Sequence, residues 1–310
     1  MIETGYLLPG FGESYGEFGR PLRLPASGLQ LLERPIAGDS FDYIGPYPYV
    51  MCSDWGALAQ DLPGLARPGA VSLAFVADPF QTQAVRAATR GWDLCRPFKT
   101  HHVIDLRRDW RHERPRTMRR LTRRALETHV METVADALPL AAQFWQMYQT
   151  TRARHDVRGI QGLSALVIER QLALPGGLVI TARDDAGLAG GILSFCHGET
   201  ASLHLMFLSP RAHAQNTSHA LIYTTLEALE ARGLRHANLG GVAGNSDDAA
   251  GGLARFKMGW ANETRSALLC GKVLDARRYR ALCAGVSPGG YFPAYRAPGA
   301  SGPAVPPGAD

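Results

Sequence analysis

The sequence contains no apolar run of the roughly 18 residues that a membrane-spanning helix requires. Its first residues, MIETGYLLPGFGESYGEFGR, lack a basic stretch followed by an apolar one, so no secretory leader is expected. Cysteine is sparse and unpatterned. Cys52, Cys95, Cys196, Cys270 and Cys283 are scattered, odd in number and without a C-x-x-C spacing. Neither a zinc site nor a disulfide framework is suggested, and a reducing cytoplasm fits best. His101, His102, His204 and His213 show no metal-ligand spacing either. No His or carboxylate pairs with a serine or cysteine in a pattern that points to nucleophilic catalysis. Lysine is missing from residues 1–28, and glycine from Ser209 to Leu226, SPRAHAQNTSHALIYTTL.

What is present is an ordinary globular composition, 45% hydrophobic and 20% charged over 310 residues, long enough for two domains. The net charge of +5 is unevenly placed. Arg107, Arg108, Arg111, Arg114, Arg116, Arg119, Arg120, Arg123 and Arg124 crowd one short stretch, offset there by Asp105, Asp109 and Glu113. Guanidinium binds phosphate bidentately and stays charged, so such a concentration favours phosphate partners.

Along the chain, residues 1–28 are rich in Gly and Pro and promise little regular structure. Strands are predicted at 29–36, 71–76 and 100–106, with an extended FDYIGPYPYV at 41–50. Helices are predicted at 54–62 and 81–90, and from Pro115, a residue suited to a first helical position. In that third helix Met118, Leu121 and Ala125 share one face, and Arg116, Arg119, Arg120, Arg123 and Arg124 line much of the rest. A strand at 130–134 opens a second unit. Helices at 138–154 and 164–174 follow it, the first carrying the core-type residues Phe144, Trp145, Met147 and Tyr148. Strands at 177–183, 190–196 and 201–208, with turns at Asp184-Asp185 and His197-Gly198-Glu199, form an antiparallel meander. A helix at 218–232 ends on Gly233, with Asn216 and Ser218 as its candidate caps. A strand at 235–239, a strand near 266–269 and a helix at 275–284 complete the pattern, and the tail beyond Ala297 reads as disordered.

Between the strands at 235–239 and 266–269 runs LGGVAGNSDDAAGGLARFKMGW, Leu239 to Trp260. Gly240 and Gly241 permit close backbone approach, Asn245, Ser246, Asp247 and Asp248 are turn formers, and Phe256-Lys257 closes the loop. A loop at the C-terminal end of a strand is a common ligand site in α/β folds. Lys257 supplies one mobile charge there beside the Phe256 ring, and an isolated Phe-Lys pair also reads as a solvated lysine with a packed phenylalanine in a surface loop.

The order of elements in the second half resembles an N-acetyltransferase-type (GNAT) α/β unit. In ordinary members a glycine-containing loop before the long helix offers converging amides to the coenzyme A pyrophosphate. The glycine-free Ser209–Leu226 argues against that use here. The whole of residues 40–285 resembles the Fem-type (FemX/FemAB) aminoacyl-tRNA-dependent transferases. The likeness is carried by FDYIGPYPYV, by HVIDLRRDW followed by PRTMRRLTRRAL, by FWQMYQTTRARHDV, by the helix from Asn216 to Gly233, and by NLGGVAGNSDD with RFKMGW. It implies two tandem GNAT-like units of α/β (α+β) class, each a mostly antiparallel mixed sheet flanked by helices. The expected division is 1–129 with a returning segment 272–296, then 130–271, then a tail at 297–310. The resemblance also implies transfer of an amino acid from aminoacyl-tRNA to an acceptor amine, in peptide antibiotic biosynthesis or peptidoglycan cross-bridge formation. No cofactor is implied beyond the tRNA co-substrate. The N-terminal Trp- and Lys-bearing helix of cell-wall members is absent from residues 1–28, so a peptide-like small molecule is as good an acceptor as a muropeptide. Lys257 would stabilise the oxyanion, with Phe256, Arg211, Asn216, Tyr47 and Tyr49 contacting substrate and Arg119, Arg120, Arg123 and Arg124 contacting tRNA phosphates. The rival reading is an acyl-CoA-dependent N-acyltransferase of the same superfamily.

Overall fold

The computed structural model describes residues 5–155, 159–242, 251–286 and 290–297. In chain order its elements are α1 (Pro9–Ser14), β1 (Arg20–Arg23), β2 (Gln30–Pro35), β3 (Phe41–Ile44), α2 (Leu58–Leu65), β4 (Ala70–Ala77), α3 (Thr82–Ala88) and β5 (Leu94–Asp105). Next come α4 (Trp110–Glu113), α5 (Arg116–Thr128), β6 (Val130–Val134), α6 (Ala141–His155), α7 (Ala165–Leu172), β7 (Leu178–Asp184), β8 (Gly187–His197), β9 (Thr200–Leu208) and α8 (Thr217–Ala231). The last are β10 (His236–Asn238), α9 (Gly252–Trp260), β11 (Glu263–Val273) and α10 (Ala276–Leu282).

These elements form two compact units. One comprises Pro9–Phe98 and Ser266–Asp310, the other Met1–Leu8 and Lys99–Arg265. The segment 99–129 therefore groups with the second half of the chain, not with the first as the expected division at 129 had it. The reason is local pairing. β5 pairs antiparallel with β10 through Val103, Ile104 and Asp105, and α5 lies against α8.

In the unit built from Pro9–Phe98 and Ser266–Asp310, the strand order is β1, β2, β3, β4, β11. β1, β2 and β3 pair antiparallel, β3 runs parallel to β4, and β11 is antiparallel to β4. Its core gathers Leu31, Tyr43, Leu58, Leu73, Phe75, Val85 and Cys270. The helix expected at 54–62 is divided: Asp54 caps a 3-10 turn, Trp55–Ala57, its carboxylate accepting from the Gly56 amide, and α2 begins only at Leu58 without a side-chain cap. The first 28 residues are more ordered than their composition implied: they hold α1 and β1, with Phe11 and Tyr15 buried. Aromatic side chains, not periodicity, anchor this segment.

In the unit built from Met1–Leu8 and Lys99–Arg265, β5 is followed by β10, β9, β8, β7 and β6. The predicted meander is present, β7, β8 and β9 pairing antiparallel. Phe144 of α6 is fully buried and stacks on Phe207 at 4.4 Å, directly over Gly191, where a Cβ would collide with the Phe144 ring. β10 runs parallel to β9, but only from His236 to Asn238. Beyond that point the chain stays with β5: Leu239 donates to the His102 carbonyl, and His102 donates to the Gly240 carbonyl. β10 and β9 therefore part company after Asn238, leaving a fork in the sheet at the level of Gly240.

The stretch Leu239–Trp260 is not a loop throughout. Its last nine residues form α9, which the glycines at 251, 252 and 259 disguised. Glycine inside a helix costs about 1 kcal/mol relative to alanine. Gly259 nonetheless gives the Met118 side chain of α5 its place, since a Cβ there would displace the Met118 sulfur. The turn formers at 245–248 lie outside the described residues, as does the tail from 298 on.

Candidate active site

Three backbone and side-chain contacts shape the fork. The Asn238 Oδ1 accepts from the Gly240 amide at 2.9 Å, which closes a tight turn, and Gly240 takes φ +72° to complete it. The His101 ring Nδ1 lies 3.1 Å from the same Asn238 oxygen. Gly241 lies against β5, where a Cβ would come within 3.2 Å of the Thr100 carbonyl oxygen and 3.4 Å of the Lys99 Cβ. Glycine suits both positions, at Gly240 for its dihedral and at Gly241 because a Cβ would press β5 aside by a few tenths of an ångström.

α9 delivers Lys257 to this turn. Its Nζ donates to the Gly241 carbonyl oxygen, and a Cβ on Gly240 would be 3.6 Å from that nitrogen. Lys257 is half-buried, and burial pushes its pKa down from 10.5 to about 8, with the charge of Lys99 pushing in the same direction. Lys99 is itself buried, 8% exposed. The chain holds three lysines, Lys99, Lys257 and Lys272, among 33 basic residues. Two of them meet at one glycine. Arginine cannot lose its proton in a protein, whereas a buried lysine can, so lysine is the cation whose charge an enclosed site can tune. Lys99 escaped the sequence reading because it stands alone in a strand. Its rarity in an arginine-rich chain was the available signal.

Phe256 packs beside Lys257, against the edge of the His219 ring of α8 at 5.1 Å. His219 is buried, and burial with the nearby Arg114 charge drives its pKa to about 4, so the ring is neutral at physiological pH. Among the described residues, its Nδ1 has no hydrogen-bond partner. Trp260 backs the same ring at 5.8 Å. The buried Arg114 guanidinium lies over the Trp260 ring at 4.5 Å and the Tyr223 ring at 5.1 Å, and donates to Thr122. Phe256 is therefore held from behind by a packed aromatic and cationic cluster.

The arginines of α5 present themselves as the sequence suggested. Arg116, Arg119, Arg120, Arg123 and Arg124 are all exposed, while Thr122 and Ala125 are buried and Met118 is half-buried. Arg123 faces Glu127 at 3.7 Å, an exposed pair of little energetic weight.

Other predicted site residues are placed differently. Arg211 is engaged within the fold. Its Nε and Nη2 donate to the two Asp184 carboxylate oxygens at 2.8 and 2.9 Å, and Nη2 also reaches the Gly187 and Leu188 carbonyls. It clamps the β7–β8 turn rather than offering a free cation. Asn216 sits before α8 in the left-handed region, φ +57°, and makes no side-chain cap bond; its amide reaches back to the Ala214 carbonyl. Tyr47 and Tyr49 belong to the other unit, Tyr49 buried and Tyr47 half-buried, with the Tyr47 carbonyl accepting from Tyr15. His204 is enclosed between Tyr6 and Gln171, and burial holds its pKa near 3. Among the described residues, one group has metal-ligand spacing, Asp105, His236 and Glu263. Its two carboxylates already face arginines, Arg235 at 3.7 Å and Arg265 at 2.7 Å.

The junction from β9 to α8 differs from a pyrophosphate cradle. Pro210–His213 forms a turn of 3-10 helix. The amides of Ala212, Ala214, Gln215, Asn216 and His219 donate to the carbonyls of Ser209, Arg211, Arg211, His213 and Asn216. These donors are turned inward on the junction itself.

Known proteins give a consistent comparison. Residues 108–258 match the family model described as an acetyltransferase (GNAT) domain. Among solved structures, FemX superposes with a TM-score of 0.63 at 12% identity, over 88% of this chain and 93% of its own. The C-terminal domain of a putative lysylphosphatidylglycerol synthetase from Agrobacterium fabrum superposes with a TM-score of 0.58 at 18% identity, over 87% and 89%. L-PGS from Bacillus licheniformis gives 0.54 at 13%, over 88% and 94%. A comparison with curated protein sequences finds no match. At these identities the likeness shows the fold, a Fem-like GNAT fold of α/β class whose strands are mostly antiparallel and flanked by helices. Among the described residues, no helix is long and apolar enough to cross a membrane.

Proposed function

We propose that this chain is an acyltransferase that moves an aminoacyl group from charged tRNA to an acceptor amine. The observation that carries the reading is the placement of Lys257, its ammonium held on the Gly241 carbonyl at the fork of a GNAT-like sheet, beside Phe256. The donor is an ester of the terminal ribose, already activated, so neither ATP nor an enzyme-bound acyl intermediate is needed. The acceptor nitrogen adds to the ester carbonyl, the carbon–oxygen bond to the ribose breaks, and the ribose oxygen leaves with a proton originating on the amine. Lys257 stabilises negative charge on the carbonyl or departing oxygen. Phe256 offers a face for the terminal adenosine or the acceptor. The exposed arginines of α5 bind RNA phosphates. The acceptor is the amine of a peptide-like small molecule or a muropeptide.

The second reading, an acyl-CoA-dependent N-acyltransferase, draws on the GNAT domain match. Against it stands the glycine-free junction, where the amides of Ala212, Ala214, Gln215, Asn216 and His219 are already bonded to its own carbonyls. An assay with a mixed pool of charged tRNAs and a panel of amines decides between them. Amide formation abolished by ribonuclease supports the tRNA reading. Turnover with acetyl-coenzyme A and no RNA overturns it.

A further inference from the structure

Cys95 of β5 and Cys270 of β11 meet within one unit, their Sγ atoms 3.6 Å apart, and both are free thiols. A disulfide has an S–S length of about 2.05 Å, so an approach of roughly 1.5 Å separates this contact from a bond. The two thiols differ in access. Cys270 is fully buried among Phe75, Leu268 and Val85, while Cys95 is half-buried at the margin of the same core. Burial, reinforced by the neighbouring Cys95, holds the Cys270 thiol well above its ordinary range, so it stays protonated and inert until a partner sulfur is presented to it.

We propose that Cys95 and Cys270 form a reversible modification site, a dithiol that small-molecule disulfides of the glutathione class convert to an internal disulfide. Cys95 is the entry point. Its thiolate attacks one sulfur of the external disulfide, whose S–S bond breaks and releases one thiolate. Cys270, on losing its proton, attacks the Cys95 sulfur, breaks the mixed disulfide and expels the second thiolate. Two protein thiols are oxidised and one external disulfide is reduced to two thiols, which take up the two protons the cysteines lose. The buried sulfur needs no access to solvent, because the sulfur it attacks is already in contact with it. The link joins positions 175 residues apart and closes a loop that contains all of residues 99–265. A loop of that size restricts the unfolded chain, so the oxidised form melts at higher temperature. This inference does not depend on the transferase reading.

The test is incubation of the full chain with oxidised glutathione at mildly alkaline pH. Thiol titration, intact mass and non-reducing peptide mapping provide the readouts. The expected result is loss of two of the five titratable thiols. It comes with a mass fall of about 2 Da, the two hydrogens lost on oxidation. A peptide pair linking Cys95 to Cys270, and a melting temperature raised by several degrees and restored by dithiothreitol, complete the pattern. Cys270→Ser halts the reaction at a mixed disulfide on Cys95, and Cys95→Ser prevents it. A glutathione adduct that persists on Cys95 in the wild type, a link between other cysteines, or five unreacted thiols each overturns the proposal.

Discussion

Lys257 and Lys99 converge on one glycine, the first bonding the carbonyl oxygen of Gly241 and the second packing its Cβ against the same residue from β5. Their proximity sets the pH dependence expected of the site. Burial and the Lys99 charge bring the Lys257 pKa to about 8. If the protonated form stabilises the oxyanion, kcat falls as pH rises through about 8. Lys99→Met removes the like charge, so Lys257 keeps its proton to higher pH and the falling limb moves upward. A pH–rate profile of the two proteins checks this. Identical profiles would separate Lys99 from the chemistry.

Removing the Lys257 charge is expected to cost about 2–4 kcal/mol of transition-state stabilisation, the range seen when one oxyanion donor is removed. Single-turnover rates of Lys257→Ala against wild type measure it. Normal turnover in the variant would exclude Lys257 from the mechanism.

The same residue is expected to weaken the fold. Its pKa is 10.5 when unfolded and about 8 when folded, so the folded state resists the charge. The resulting destabilisation is fully present below pH 8 and disappears as pH rises through 10.5, because the unfolded chain binds the extra proton only across that window. At about 1.4 kcal/mol per pKa unit the penalty is bounded at about 3 kcal/mol near neutrality. Lys257→Met should therefore denature at higher urea concentration than wild type at pH 7, with the gap closing near pH 10.5. A variant less stable at pH 7 would show that the lysine contributes packing that outweighs its desolvation.

The arginine face of α5 makes a salt-dependence prediction. Deleting a side chain that pairs with one phosphate lowers the slope of log affinity against log salt by about one. Alanine at Arg119, Arg120, Arg123 and Arg124 together should flatten that slope for tRNA and weaken binding, with no loss of thermal stability, since all four are exposed. Filter binding across a salt series reads both quantities.

Arg211 should behave in the opposite way. Its guanidinium holds the Asp184 carboxyl well below the usual carboxylate range. That stability is present above the ordinary Asp pKa and is lost as pH falls through the depressed folded value. Arg211→Ala should lower thermal stability at pH 7, by about 1–2 kcal/mol for a charge-assisted bidentate bond partly open to water. It should leave tRNA affinity unchanged. Weaker tRNA binding at unchanged stability would return Arg211 to the substrate-binding residues.

Much of the architecture was legible because its signals are periodic. The meander β7–β9 and the helix α5 follow alternation and a 3.6-residue stripe, and the observed elements match them closely. α9 was hidden because two glycines lie within it and a third precedes it, and the contact made at one of them, Gly259, is with Met118, far away in the chain. Arg211 read as a free cation because Asp184, 27 residues earlier, becomes its partner only once the meander has folded. Lys257 was visible through its setting after a Gly-Gly turn. Lys99 was not, since a lone lysine in a strand acquires meaning only when the fork brings Gly241 against it.

The meeting of Met118 with Gly259 also ties two surfaces together mechanically. The helix that displays the guanidinium row rests, without an intervening methyl group, on the helix whose last turn carries the ammonium. If α5 holds RNA phosphates as proposed, the bound polyanion bears on the helix that carries Lys257, and gripping the long ligand and aligning its reactive end fall to one pair of packed helices.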